Sequence, residues 1–177
     1  MTGQLKQVVL KPQDFVLALK LAVNEERDFL LSTLGQELGM VVSAVHGCII
    51  RCEQARLLSR AAGSIRPIKP ALLEFSLHGA RYAFPAAQGT LTRGIGTSIA
   101  GPSLRGHFDQ SKALPPVWPD PIGDEYGPSI APLHHLVPQA ARTDTRLLDV
   151  LTLVDALRIG AAREREMASA FLEERLA

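Results

Sequence analysis

Residues 34–50 read LGQELGMVVSAVHGCII, and this stretch decides the fold because it has the spacing of two short helices joined by a tight turn. Gly35 has no side chain at the point where the two helices would cross, and Gly39 permits the left-handed backbone that closes a helix. The stretch therefore predicts a helix-turn-helix unit. Five apolar residues keep one helical phase across the turn: Leu34, Leu38, Met40, Val45 and Cys48.

Helices are predicted on both sides of this turn. Residues 11–23 carry a helical apolar stripe, with Pro12 suited to the first turn. Residues 29–38 predict a second, short helix. Ser43 is expected to cap a third helix that runs to about Leu58.

The segment RLLSRAAGSIRPIKP (56–70) follows the third helix and has two short apolar runs separated by small residues. It predicts a β-hairpin with its turn near Gly63. Pro70 then opens a fourth helix, which is expected to end near Gly79 or Arg81.

In this order, the helices and the hairpin resemble bacterial winged helix-turn-helix transcription regulators of the MarR-like kind, over roughly residues 8–82. The resemblance implies that S-x-V-H, residues 43–46, opens the recognition helix and that RLLSRAAGSIRPI is the wing. It further implies double-stranded DNA as the partner and regulation of transcription as the function. Winged regulators of this kind often dimerise through terminal helices.

The net charge of +1 hides an uneven distribution along the chain. Residues 51–105 hold eight basic and two acidic side chains, whereas the segments before and after them are both net acidic. A basic block of this kind indicates an anionic partner for the middle segment.

The expected recognition helix carries few of the side chains that read bases. Arg, Lys, Asn and Gln usually make base contacts in the major groove, and residues 41–47 contain none of them. Ser43 and His46 are the candidates for facing the bases. The cations that follow are expected to contact phosphates, which would give binding with modest base discrimination. The alternative is that they are solvated surface charges. They are Arg51, Arg56, Arg60, Arg66 and Lys69.

Two further segments follow the helix-turn-helix region. Residues 85–138 hold nine of the twelve prolines and seven of the fourteen glycines, which predicts a long irregular connection docked on the fold. An apolar stripe over residues 145–176 predicts a long C-terminal helix with a bend at Gly160. This helix is expected either to pack on its own chain or to pair with a second chain in a homodimer.

The predicted fold is thus mainly α with a small β-hairpin wing. Its domains are a winged helix-turn-helix domain at 1–84, a Pro/Gly-rich docked connection at 85–138, and a C-terminal helix for packing or dimerisation at 139–177. The predicted function is that of a DNA-binding transcription regulator. The alternative is a protein-interaction module of the same fold, such as an antitoxin-like component that binds a protein partner, because the recognition helix is poor in polar side chains.

Other candidate sites are weak in the sequence. Cys48 and Cys52 lie one helical turn apart, but no second ligand pair completes a zinc site, so a role in the core is favoured. His134 and His135 are adjacent and would point in opposite directions in an extended segment. No nucleophile and base can be assigned together, so we expect neither an enzyme nor a metal or cofactor. The absence of a signal-peptide pattern and of long apolar runs predicts a cytoplasmic protein without a membrane partner.

Overall fold

A computed structural model describes residues 7–61, 63–111 and 113–177. The architecture is mixed α/β, and its helices surround a shared core. The described residues also form two small sheets. The first half contains α1 (Pro12–Ala22), α2 (Leu31–Leu38), α3 (Val42–Gln54), β1 (Leu58–Ala61), β2 (Ser64–Pro67), α4 (Lys69–Glu74) and α5 (Ala80–Ala83). The second half contains β3 (Gln88–Gly96), β4 (Val117–Pro119), β5 (Glu125–Ile130), α6 (Val137–Thr143), α7 (Thr145–Ile159) and α8 (Ala162–Leu176).

The turn between α2 and α3 forms as the sequence predicts. Gly39 ends α2 in the left-handed conformation, with φ 68° and ψ 27°. Gly35 lies where the chain crosses itself, because its carbonyl accepts a 2.8 Å hydrogen bond from the Met40 N–H. A Cβ atom on Gly35 would lie 2.6 Å from the Met40 carbonyl oxygen. The two helices meet at about 100°, within the range of helix-turn-helix pairs.

Two details of α3 differ from the prediction. Ser43 is not the N-cap, because α3 already begins at Val42 and Val41 occupies the cap without a side-chain bond. The helix also ends at Gln54 rather than near Leu58. Arg56 has a positive φ of 58°, which a continuing right-handed helix excludes, and Leu58 belongs to β1.

The predicted hairpin is confirmed, with antiparallel pairing from Leu58 opposite Pro67 to Ala61 opposite Ser64. Gly63 adopts a φ of 83° in the turn. The fourth helix begins at Lys69 and continues through a π-helical turn to Ala83, past its expected end at Gly79 or Arg81.

The prediction of an irregular connection at 85–138 is wrong for a large part of that segment. β3 pairs antiparallel with both β4 and β5, and β4 meets β5 in parallel at Val117 and Ser129, which closes a small three-stranded barrel. Docking on the fold was expected, and Leu104, Trp118 and Ile130 are indeed buried.

Glycines allow the backbones of this barrel to approach closely. A Cβ atom on Gly94 would overlap the Trp118 carbonyl, and one on Gly127 would overlap the Pro115 carbonyl. Gly123 lies equally close to the backbone of Gly94. The glycines that suggested irregular chain therefore mark close strand contacts.

The predicted long C-terminal helix is in fact two helices. The chain breaks at Gly160, whose ψ of 157° is extended, and forms α7 and α8, which pack against each other. The buried residues of α8 are Ala168, Leu172 and Leu176, and they contribute to the core of their own chain. This arrangement is the packing role expected for the segment, whereas pairing with a second chain stays a prediction.

One apolar core includes residues from all three predicted segments, with α7 at its centre. Leu147, Val150, Leu153 and Val154 of α7 are completely covered. No single helix in the described residues is long and apolar enough to cross a membrane, although α2 and α3 together pass the same test as a pair bent by 100°.

Candidate nucleic-acid interface

The two sides of α3 differ sharply in exposure. Val45, Cys48, Ile49 and Cys52 are buried against the core. The opposite side faces solvent, and its exposed residues in the first two turns are Val42, Ser43 and His46. The structure thus brings both predicted base-facing residues together on one open helix face.

This face is largely apolar around the two polar side chains. Val41 is 71% exposed and Val42 is 48% exposed at the start of α3, and Ile50 is exposed one turn beyond His46. An apolar surface here suits contact with a thymine methyl group or with a protein more than contact with a phosphate.

Arg51, one of the predicted phosphate ligands, holds α3 to α1. Its Nε and Nη2 atoms each lie 2.7 Å from a carboxylate oxygen of Asp14, whose side chain is fully buried. The guanidinium lies over Gly47, where a Cβ atom would be 3.2 Å from Nη1. This contact explains why a glycine occurs inside a helix at position 47, because the missing side chain leaves room for the bidentate Arg51–Asp14 pair.

Arg60 and Arg66, on the hairpin, form weaker and more exposed pairs. Arg60 pairs with Glu53 at 2.9 Å, and this hydrogen bond lowers the pKa of the Glu53 carboxyl. Arg66 lies 3.4 Å from Asp28, which is almost fully exposed. Exposed pairs of this kind contribute about 0–1 kcal/mol, so the arginines remain available to other anions.

Lys69 and Arg56 have contrasting surroundings. The Lys69 ammonium lies 2.7 Å from Glu25 and donates to the Ala177 carbonyl oxygen at 2.8 Å. Arg56 is exposed and has no ion pair within the described ranges. Arg56 and Arg60 share a shallow depression of about 500 Å³ between the end of α3 and the hairpin.

The predicted cations therefore separate into two groups. Arg56, Arg60 and Arg66 lie on or beside the hairpin with open or weak partners, whereas Arg51 and Lys69 join elements of the fold. The carboxylate partner of Arg51 was not identified from the sequence. A polar residue beside the apolar stripe of α1 was the one available signal.

The cysteines have the properties of core residues. Both are completely buried and free, and burial raises the pKa of Cys48 to about 11 and that of Cys52 further still. The Cys52 thiol lies 3.2 Å from the Asp14 carbonyl oxygen. Across the described ranges, no three His, Cys, Asp or Glu side chains are grouped as metal ligands.

The two adjacent histidines do not diverge as predicted. Their ring centroids lie 4.3 Å apart because the chain bends at this point instead of running extended. Burial, and then the charge of His135, lower the pKa of His134.

Comparison with protein-family models, with curated proteins and with solved structures gave no match to this chain.

Proposed function

We propose that this chain is a DNA-binding regulator that acts through a winged helix-turn-helix. The observation that carries the proposal is the geometry of α2 and α3, which cross at about 100° through the left-handed Gly39 and leave Ser43 and His46 exposed. In helix-turn-helix proteins, the N-terminal residues of the second helix contact base edges. The β1–β2 hairpin follows α3 directly in the chain, which supports its assignment as the wing.

Base readout through this surface is limited to a few contacts. The Ser43 hydroxyl donates and accepts hydrogen bonds, and the His46 imidazole adds one donor and one acceptor when neutral. Val42 supplies an apolar surface for a thymine methyl group. We therefore expect modest discrimination between DNA sequences.

Phosphate contacts come from Arg56, Arg60 and Arg66. Arg56 is exposed and has no ion pair within the described residues. Arg60 and Arg66 form exposed ion pairs, and each can exchange its carboxylate partner for a phosphate at little cost in free energy. Arg51 and Lys69 contribute less to binding because they stabilise contacts inside the chain.

Titration of a labelled DNA duplex at several salt concentrations, read by fluorescence anisotropy, tests the proposal. Three phosphate contacts predict that log K falls against log salt with a slope of about −3. Arg56→Ala is expected to reduce that slope by about 1, whereas Arg163→Ala at the start of α8, outside the proposed surface, leaves it unchanged. Absence of binding at low salt, or binding that does not depend on salt, contradicts the proposal.

A protein partner is the second candidate, and the apolar exposure around α2 and α3 favours it. Leu30 is 72% exposed just before α2, and Val41 is 71% exposed just before α3. In this case the original chain co-purifies with the product of an adjacent gene, and Val41→Ser abolishes that co-purification. Neither the original chain nor the variant then binds DNA. Loss of DNA affinity in Ser43→Ala with the partner retained would instead favour the first candidate.

A further inference from the structure

A cleft of about 890 Å³ lies away from α3, where the helix-turn-helix region meets the C-terminal helices. Its walls come from five parts of the chain: the end of α1 with the turn after it, the start of α4, the loop at 102–107, the first turns of α7 and the last turns of α8. A volume of this size is typical of sites for small molecules.

Charged side chains of both signs line this cleft in equal number once Asp149 is set aside. The cations are Lys69, Arg146 and Arg175, and the carboxylates are Glu25, Glu26 and Glu174. They form pairs across the surface: Glu25 with Lys69, Glu26 with Arg146, and Glu174 with Arg175. Arg146 and Glu26 are each more than half exposed, so solvent reaches both charges.

Asp149 is a fourth carboxylate of the cleft, and both of its oxygens accept hydrogen bonds from within the chain. One accepts from the Ser103 N–H at 3.1 Å and from the Ser103 hydroxyl at 2.6 Å, and the other accepts from Arg175 Nε at 3.0 Å. Arg175 Nη2 also donates to the Ser103 hydroxyl at 3.3 Å. This network fixes the guanidinium of Arg175 at the cleft wall before any ligand arrives.

Apolar groups complete the cleft. Ala22, Val23 and Pro102 line it beside the ring of Phe171. The His107 ring lies 5.5 Å from the Phe171 ring, centroid to centroid, and extends this surface. The cleft therefore offers an apolar face between groups of opposite charge.

We propose that this cleft binds a small zwitterion of the amino-acid class, as a free α-amino acid or a short peptide with an apolar side chain. The carboxylate of the ligand pairs with Arg146 and the prefixed Arg175, and its ammonium pairs with Glu26 and Glu174. Its apolar side chain lies on Phe171. A ligand of one sign would meet as many repelling as attracting groups, which is the reason for a zwitterion.

Calorimetric titration of the full chain tests the proposal with phenylalanine, leucine and the dipeptide leucyl-phenylalanine. At least one is expected to bind one-to-one with a Kd of about 1 mM or tighter, and its N-acetylated and C-amidated forms at least 10-fold more weakly. Comparison of the free amino acids with the dipeptide shows which of the two kinds of ligand the cleft prefers. Binding by none, equal binding of blocked forms, or tighter binding of succinate or putrescine overturns the proposal.

Variants locate the binding. Arg146→Gln and Glu174→Gln are each expected to weaken the best ligand at least 5-fold, while Arg163→Gln, on the same helix as Glu174 but outside the cleft, binds as the original chain does. Circular dichroism melting confirms that each variant is folded. Unchanged affinity in both cleft variants overturns the assignment, and the readout does not depend on DNA binding.

Discussion

At the scale of single residues, Gly35 sets how closely α2 approaches the turn into α3. A Cβ atom there would lie 2.6 Å from the Met40 backbone oxygen, which has no freedom to rotate away. Gly35→Ala gains about 1 kcal/mol of helix propensity but forces the backbone apart, so we expect a net loss of about 1–2 kcal/mol in unfolding free energy.

Urea denaturation measures that loss. Gly106→Ala is the matched control, because nothing lies within 4 Å of a Cβ atom at that position. Equal stability of the two variants would show that the helices do not cross tightly at Gly35.

Cys48 gives a second residue-scale prediction. Its thiol is fully buried, and burial raises its pKa to about 11, so almost none is ionised at pH 8. Folded protein is expected to react with a thiol reagent such as Ellman's only over the timescale of unfolding, and both cysteines are expected to react at once in denaturant. Rapid labelling of the native protein would contradict a core position.

Single residues also show where sequence reasoning succeeds. Gly35 and Gly39 were predictable because a tight crossing and a left-handed turn leave a direct mark on residue choice. The need for glycine at position 47 was not predictable, because it comes from the guanidinium of Arg51, which lies over Gly47 and binds Asp14 on another helix. The capping role of Ser43 failed because the N-cap of α3 is Val41, two residues earlier than the side-chain pattern indicates.

At the scale of elements, the Asp14–Arg51 pair fixes α3 against α1. Arg51→Met keeps the aliphatic stem but removes the cation that pairs with the buried Asp14 carboxylate, which retains the 2.8 Å hydrogen bond from the Lys11 N–H. We expect a loss of about 2 kcal/mol in unfolding free energy, less than for a fully buried pair because Arg51 is partly exposed.

A double-mutant cycle with Asp14→Asn isolates this pair. The double variant is expected to lose clearly less than the sum of the two single losses. Arg60→Met is the control, since its exposed pair with Glu53 should leave stability nearly unchanged. If Arg51→Met behaves like Arg60→Met, Arg51 is free for phosphate contacts and its structural role is wrong.

Elements formed by near neighbours were the predictable ones. α1, α2, α3 and the β1–β2 hairpin lie within short, periodic stretches with clear turn residues. The barrel was missed because β3 pairs with residues 21 to 42 positions further on, as Gly94 does with Pro119 and Gln88 with Ile130. Local pattern carries little information on such pairings.

At the scale of the whole molecule, Asp144 at the start of α7 joins the C-terminal helices to α1. Its carboxylate accepts hydrogen bonds from Lys20 at 2.6 Å, Asn24 at 2.9 Å and the Leu147 N–H at 3.0 Å. Burial opposes its ionisation, but these hydrogen bonds outweigh that effect and lower its pKa. The ionised form therefore stabilises the folded chain.

This shift gives stability a defined dependence on pH. Because the folded pKa lies below the unfolded value, the contribution is full above about pH 4 and disappears as the pH falls through the folded pKa. Asp144→Asn is expected to lose about 1.5 kcal/mol at pH 7 and to show a flatter acid limb in denaturation measured from pH 7 to pH 2. Parallel acid limbs in the two proteins would contradict this role.

The charge distribution also changes meaning at this scale. The basic block of residues 51–105 suggested an anionic partner. In the fold, however, several of its cations pair with carboxylates from outside the block, namely Asp14, Glu25 and Asp28. A count along the chain cannot show these long-range pairs. The cations with open or weak partners are therefore fewer than the sequence indicated, and they lie on or beside the hairpin.

The most direct test of the proposed DNA surface is a titration of ¹⁵N-labelled protein with a short duplex at low salt, followed by amide NMR shifts. We expect the largest shift changes on residues 42–47 and on the β1–β2 hairpin, and no changes on α8. Changes concentrated elsewhere, or none at saturating duplex, would contradict it.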